Sequence, residues 1–488
     1  MLNRQTTHTP PPPPERILQF GGGNFLRGFA DWIVEVYNRQ YPENALGVVV
    51  ANNSDRKIYR QWREQEGLYH VLTRGLKDGA TVDTYELITN VSRVLSLDRD
   101  WEAFLKTAEE PEMRYVISNT TEAGMRFSPS DGVDDAPPAE FPAKLTQWLH
   151  RRFDRFAGDT AHGCIILPME LIADNGTVLR EMVLKYCDHW SLSPAFADWV
   201  RGACTFCSTL VDRIVPGVGE GELNAVQQSL GYRDAALTQG EPYHLLAIKA
   251  PEAVREELPL DRLGLNIVYT DDLAPYRLSK VRILNGAHTA MVPVGYLCGR
   301  EAVGQTVAEE PTAGFVRGVI YDEIIPTLDL PGVDLERFAR DVLDRFGNPF
   351  IEHRLLSISL NSVSKFRERV LPTMEEYVDL NDRWPRRLSL AMAALIRFYR
   401  GDRAGSAIPL RDDEWVIKAM AGAWEVCDGS PASVEELVGE VFSWERAWGR
   451  DLSGYRDLRR TVAEYLLTIE REGMEAAILS VGEQLATE

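Results

Sequence analysis

Cysteine is scarce in this chain. Six thiols, at positions 164, 187, 204, 207, 298 and 427, are scattered over 488 residues, too few and too dispersed for a disulfide-built scaffold. Only Cys204-Thr205-Phe206-Cys207 has a suggestive spacing. With no second CxxC or CxxH pair it lacks the ligands for zinc, so small buried residues are expected there. No HExxH and no converging His/Cys set occurs elsewhere, so no metal is expected. Long apolar runs are missing too: no stretch of about 18 uncharged apolar residues exists, which argues against a transmembrane helix. The N-terminus, MLNRQTTHTPPPPPER, has no apolar core of the signal-peptide kind. Residues 1–14 read as a flexible tail carrying a stiff polyproline II run, Pro10 to Pro14. Basic residues are in deficit, 53 Lys and Arg against 73 Asp and Glu for a net charge of −20. That balance argues against nucleic acid or an anionic membrane as partner, and an anionic ligand would need a local basic site.

What is present is a chain long enough for two domains. In the first half, short apolar runs at 16–20, 47–51, 114–118 and 164–167 alternate with helical patterns at 24–38, 142–156 and 177–190. Residues 69–73 and 84–97 read as strands of an inserted β segment, with Asp98 as N-cap of a helix carrying Trp101, Phe104 and Leu105. Two more apolar runs, 244–248 and 265–269, close this half. Such alternation implies parallel strands with crossover helices on both faces. After Asp271-Asp272 nearly every segment carries a 3.6-residue period, as at 315–325, 335–346, 387–399, 434–448 and 458–469.

Phe20-Gly21-Gly22-Gly23-Asn24-Phe25-Leu26-Arg27-Gly28 follows the first strand and opens the first helix. In a doubly wound sheet, glycines here let the backbone approach a pyrophosphate, and the helix start offers free N–H groups. Gly21 and Gly23 fit the first two fingerprint positions; the third falls on Leu26, and the next glycine is Gly28. The expected fold is therefore α/β: a Rossmann-type dinucleotide-binding domain over 15–272, then a mostly α-helical domain over 273–488. An acid ending the second strand normally binds the ribose 2′-hydroxyl. This chain has Ala51-Asn52-Asn53-Ser54-Asp55, with no acid at the strand end and no arginine before Arg56, so NAD and NADP both stay open. A second polar loop, Ser118-Asn119-Thr120-Thr121-Glu122-Ala123-Gly124, follows a central strand. The candidate cofactor set is Phe20, Gly21, Gly22, Gly23, Asn24, Phe25, Asn52, Asn119, Thr120, Thr121 and Glu122; the rival reading of both loops is an ordinary solvated turn.

Past the boundary lies Lys280-Val-Arg-Ile-Leu-Asn285-Gly-Ala-His288. Asp271 or Asp272 can cap a helix here, and Pro275 suits its first turn. At about 100° per residue, Lys280, Asn285 and His288 point near 0°, about 140° and about 80°, one sector of one helix. Val281, Ile283, Leu284 and Ala287 between them are apolar, unlike a solvated stripe. A partly buried lysine can exchange a proton near neutrality, an asparagine amide can hold the oxygen that gains charge during hydride addition to a carbonyl, and a histidine can orient that oxygen or a neighbouring hydroxyl.

At these residues the sequence resembles the polyol-specific long-chain dehydrogenase/reductase family, whose mark is this Lys, Asn, His spacing. The likeness takes in the Gly21 to Gly28 turn, the 118–124 loop, Val211-Asp212-Arg213-Ile214-Val215-Pro216 and Arg345-Phe-Gly-Asn348-Pro349, and so runs from Glu15 onward. It implies NAD as the usual cofactor, no metal, Lys280 as general acid/base, and Asn285, His288 and Asp212 in the substrate site. Two departures stand out. Mannitol dehydrogenases of that family carry Asp-Asn before an Asn-Gly turn, whereas this chain has Glu170-Leu171 before Asn175-Gly176, leaving the oxyanion to Asn285. They also place a carboxylate three residues before the lysine, where this chain has Arg277, a candidate partner for a substrate carboxylate. Lys365, Arg367 and Arg369 lie where the family keeps a basic substrate contact; the rival reading is a solvated helix face. The implied activity is NADH-dependent reduction of a six-carbon keto-uronate. An uncharged ketose as substrate, or a dinucleotide sensor without turnover, are the alternatives. A small sugar acid is the expected partner, with neither nucleic acid nor membrane, for a cytoplasmic monomer or small homo-oligomer.

Overall fold

The computed structural model describes residues 1–486. They form two compact units: Met1–Arg74 with Thr81–Leu273, and Gly75–Ala80 with the chain from Ala274 on. The turn 75–80, which the sequence reading kept in the first domain, thus belongs to the second unit.

The strands in chain order are β1 (Glu15–Phe20), β2 (Gly47–Asn52), β3 (Tyr69–Lys77), β4 (Ala80–Ile88), β5 (Val91–Ser96), β6 (Tyr115–Ser118), β7 (Ile165–Pro168), β8 (Thr205–Phe206), β9 (Ser208–Asp212), β10 (Thr238–Gly240), β11 (Leu245–Lys249) and β12 (Ile267–Tyr269). The main sheet runs β5-β2-β1-β6-β7-β8 with every pair parallel. Two three-stranded sheets, β10-β3-β4 and β12-β11-β9, accompany it. The central strands are buried on both faces because neighbouring residues feed two cores. Ile17, Val48, Val50, Ile117 and Leu167 pack with one cluster; Leu18, Phe20, Val49, Val116 and Ile166 pack with the other, around Trp148. The helices that matter below are α1 (Asn24–Gly28) and α2 (Ala30–Gln40), which follow the glycine turn.

Three expectations are corrected in this unit. Residues 84–97 are not one inserted strand: the chain breaks at Thr89-Asn90, and β5 joins the main sheet beside β2. Asn90 is the reason, since its Nδ2 donates to Asp31 O at 2.7 Å while its carbonyl accepts from Val48 N at 2.9 Å. Asp98 is no helix cap: the helix starts at Trp101, and the Asp98 carboxylate accepts from Asp55 N at 3.4 Å. The N-terminal tail is pinned, with Leu2 fully buried, Leu2 N bonded to Arg233 O, Arg4 N to Glu66 and Gly47 N to Pro14 O. The four cysteines at 164, 187, 204 and 207 are buried and unpaired; burial pushes the Cys207 thiol up to about 12, away from reactivity.

From Ala274 on, the described residues of the second unit are helical apart from one short two-stranded ribbon. Its relevant elements are α3 (Ala274–Ser279), a π-helical turn Lys280–Asn285, α4 (Gly286–Leu297), a second π-helical segment Val319–Ile324, α5 (Leu335–Phe346), α6 (Ser362–Arg369) and α7 (Arg386–Phe398). Leu388 through Ile396 of α7 are all buried and form the centre of the unit. The expected helix 315–325 divides at Gly318 into an α-helix and the second π segment, and 434–448 divides into Pro431–Phe442 and Glu445–Trp448. Among the described residues no helix is long and apolar enough to cross a membrane.

Candidate functional site

In the first unit, β1 ends level with its neighbours: Phe20 pairs with Ala51 on β2 and with Ser118 on β6, and Ser118 with Pro168 on β7. The carboxyl edge therefore gathers the glycine turn, Asn52 and the 119–122 loop, where parallel sheets bind ligands. Gly21 has φ +103°, a conformation that favours glycine. The turn's carbonyls are tied down. Gln19 Nε2 donates to Gly21 O at 3.1 Å, Arg27 Nη1 to Gly22 O, and Arg27 N to Gly23 O at 3.2 Å. No chain partner takes the N–H groups of Gly22, Gly23 or Asn24 among the described residues. Asn52, 2% exposed, has both side-chain amide atoms unpartnered and lies against Gly22. Free N–H groups around a tight glycine turn, with an unsatisfied buried amide beside them, fit the pyrophosphate and ribose of a dinucleotide. Leu26, at the third fingerprint place, turns into the core over Gly21.

The other predicted cofactor residues are placed as follows. The Phe20 ring is in the core against Phe141 (4.8 Å) and Phe25 stacks on Phe29 (4.9 Å), so only their backbones lie at the turn. Asn24 Oδ1 accepts from Arg27 Nη2 at 2.6 Å. Asn119 Nδ2 donates to Met169 O at 2.6 Å, Thr121 has φ +70°, and Glu122 is exposed.

Sequence reasoning missed three groups here. Arg27 is 2% exposed beneath the turn it braces, over the Trp62 ring at 5.6 Å. Glu170, two residues past β7, orders the 118–121 loop: Thr120 N donates to Oε1 at 2.9 Å and Ser118 Oγ to Oε2 at 3.0 Å. Burial pushes its carboxyl above the usual range against those bonds. Asp55 takes Arg63 (2.5 Å), Arg99 (2.8 Å) and Arg60 (3.2 Å) at once, and those guanidiniums hold it well below the usual carboxylate range although burial opposes them. The signal was an acid three residues past a strand end, outside the position inspected. Asp212 ends β9 and is buried in this unit. Leu171, in the place of the family amide, is 65% exposed.

In the second unit Lys280, Asn285 and His288 do not sit on one regular α-helix. Lys280 opens and Asn285 closes a π-helical turn, the i→i+5 geometry that recurs at functional sites. The wider turn brings Asn285 closer in azimuth to Lys280 than the about 140° of an α-helix. His288 follows within the first turn of α4. Arg282, between them, is consumed structurally by Glu376 (2.8 Å) and Thr373 (2.8 Å).

The His288 ring packs on Phe346 at 4.3 Å and lies 5.4 Å from the His353 ring, edge to face. Its Nε2 is buried with no partner. Burial first, and then His353, Arg345, Arg369 and Lys365, push its titration well below the normal histidine range, so the ring is neutral. Lys365 and Arg369 are thereby brought to His288, together with Arg345 and His353, which the sequence reading had not chosen. Arg367 is not: it pairs with Glu368 at 2.9 Å. Arg277 makes no hydrogen bond or ion pair among the described residues. Lys365 Nζ donates to Ile358 O at 2.8 Å. Among the described residues no group of three or more His, Cys, Asp or Glu is arranged to hold a metal.

A parallel α/β unit with a dinucleotide turn, followed by a helical unit carrying a Lys/Asn/His constellation, defines a dinucleotide-dependent oxidoreductase. The Mannitol dehydrogenase Rossmann domain matches residues 15–262, and the Mannitol dehydrogenase C-terminal domain matches residues 272–470. Altronate oxidoreductases of Yersinia enterocolitica and Escherichia coli are 45% and 44% identical, over 95% of this chain and 96% of theirs. A solved D-sorbitol dehydrogenase in substrate-free form shares the fold at TM-score 0.78 and 22% identity, covering 98% of this chain and 100% of that one. So does Pseudomonas fluorescens mannitol 2-dehydrogenase in its ternary complex with NAD and D-mannitol, at TM-score 0.64 and 20% identity over 99% of each chain. The chain belongs to the mannitol dehydrogenase family. It is a nicotinamide-dependent oxidoreductase acting on a CH–OH group.

Proposed function

We propose that this enzyme reduces the six-carbon keto-uronate D-tagaturonate to D-altronate with NADH, reversibly and without a metal. The observation that carries the reading is the buried, unpartnered Nε2 of His288 with three cations, Arg345, Arg369 and Lys365, bearing on its ring, in a chain whose net charge is −20. Such a concentration of cations serves an anionic substrate, and altronate oxidoreductases at 45% identity support the same choice. NAD over NADP is supported by Asp55, an anion past β2 that already engages three arginines. The cytoplasm is the proposed compartment, in keeping with six unpaired cysteines.

The glycine turn, Asn52 and the Glu170-ordered loop would hold the dinucleotide, which when bound supplies the hydride. The chain's own residues do the rest. Protonated Lys280 delivers a proton to the nascent alkoxide, and the Asn285 amide steadies that oxygen as charge develops. Neutral His288 offers Nε2 to a substrate hydroxyl, which would satisfy a buried atom that otherwise lacks a partner. Asp212 holds a further hydroxyl.

The test is a panel of keto-uronates and ketoses assayed with NADH and NADPH. D-Tagaturonate with NADH is expected to give the highest kcat/KM; a preference for uncharged fructose would refute the reading. Lys280→Ala should cost about 10²- to 10⁴-fold in turnover while leaving NADH fluorescence titration unchanged, and undiminished turnover removes Lys280 from the mechanism.

A further inference from the structure

Of the four basic residues offered by the sequence for a substrate carboxylate, two, Arg277 and Arg369, make no hydrogen bond or ion pair among the described residues, and Arg369 is the one whose helix end meets the π-helical turn. Arg369 ends α6, and its carbonyl is pressed against Gly286, the residue after Asn285. A Cβ on Gly286 would stand 3.2 Å from Arg369 O, so the end of α6 is seated on the reactive turn itself. Its guanidinium is half-buried and makes no hydrogen bond or ion pair among the described residues. Two neighbouring cations are paired with anions, Arg282 with Glu376 and Arg367 with Glu368, while Lys365 gives one bond to the Ile358 carbonyl and keeps its charge. Arg277 is likewise unpaired, on α3 ahead of the π-helical turn. Only the adjacent Glu368, itself paired with Arg367, favours the Arg369 charge that burial opposes, and the planar fork of a guanidinium matches a carboxylate at two points. Two residues past Gly286, the Nε2 of His288 is buried and unpartnered, a place where a polar ligand atom is wanted. The His353 ring, 5.4 Å from His288 and only partly buried, lines the same end of the site.

We propose that Arg369 is the specificity-determining residue of this enzyme, taking the carboxylate of a sugar-acid substrate whose hydroxyl meets His288, with His353 alongside. The assignment rests on the keto-uronate reading above. An uncharged ketose of the same length would leave Arg369 unmatched, so discrimination between acid and neutral sugar is built into this one contact.

The experiment compares D-tagaturonate with D-tagatose, the same sugar bearing a hydroxymethyl in place of the carboxylate, in the wild type, Arg369→Leu and Arg369→Lys. Arg369→Leu is expected to lower the ratio of kcat/KM values, acid over neutral, by about 100-fold, chiefly through KM for the acid. Arg369→Lys restores part of the ratio, a point charge replacing the fork. NADH titration and thermal unfolding verify that each variant is folded. Equal losses on both sugars, or an unchanged ratio, overturn the assignment of Arg369 and leave the keto-uronate reading standing. A wild-type preference for D-tagatose overturns that reading and the assignment with it.

Discussion

Glu323 provides a measurable test of how the second unit is held together. It is 2% exposed on the π-helical segment Val319–Ile324. Its two carboxylate oxygens accept from Arg387 N and Leu388 N, both at 2.8 Å, at the first turn of α7. Two effects compete. The helix start and two N–H donors favour the anion, while burial disfavours it. Burial wins, pushing the carboxyl from 4.5 up to about 7. The gap, about 7 − 4.5 = 2.5 units at 1.36 kcal/mol each, is about 3 kcal/mol. Its sign follows from proton binding: the folded state holds this proton more tightly than the unfolded chain. The stabilisation is therefore full below pH 4.5 and is lost as pH rises through about 7. Glu323→Gln cannot ionise, so groups common to both proteins cancel in the difference between wild type and variant. Urea unfolding of both proteins from pH 4.5 to 8 should show the wild-type advantage shrinking by about 3 kcal/mol. A difference independent of pH, or an advantage that grows with pH, would mean that the two N–H bonds and the helix dipole outweigh burial, and would refute the reasoning.

Two further substitutions address the cofactor edge. Glu170→Leu removes the acceptors that Thr120 N and Ser118 Oγ use and should raise the Kd for NADH about tenfold, the scale of one charge-assisted hydrogen bond; unchanged NADH binding by fluorescence titration would show that the 118–121 loop is held by other means. Asp55→Asn releases Arg60, Arg63 and Arg99 from their shared anion, and the ratio of NADPH to NADH affinity is expected to rise about tenfold; an unaltered ratio removes Asp55 from cofactor selection.

Much of the first unit was legible because its signals are local. The run Val48-Val49-Val50 reads as a strand covered on both faces, and it is one. The glycines at 21–23 read as a turn meeting a phosphate, and the turn carries free N–H groups. Other features had no local mark. The strand at 91–96 resembles its neighbours in composition, and only parallel pairing with β2 places it in the main sheet. The π-helical turn hides equally well, since one extra residue per turn alters the direction of Asn285 without altering its type. Asp55 and Glu170 are ordinary acids until three arginines or a buried loop close around them.

The basic cluster draws the line most sharply. The sequence by itself determined that an acidic chain keeps Lys365, Arg367 and Arg369 within five positions, and that Lys280, Asn285 and His288 recur at helical spacing, because periodicity and charge are properties of neighbours along the chain. Which of those cations acts on His288 was decided only by tertiary structure. Glu368 takes Arg367, Lys365 gives one bond to the Ile358 carbonyl and keeps its charge, and the packing of Gly286 seats the end of α6, with Arg369, at the π-helical turn. A side chain's charge is written in its identity, but whether that charge is already neutralised depends on which partners the fold sets against it.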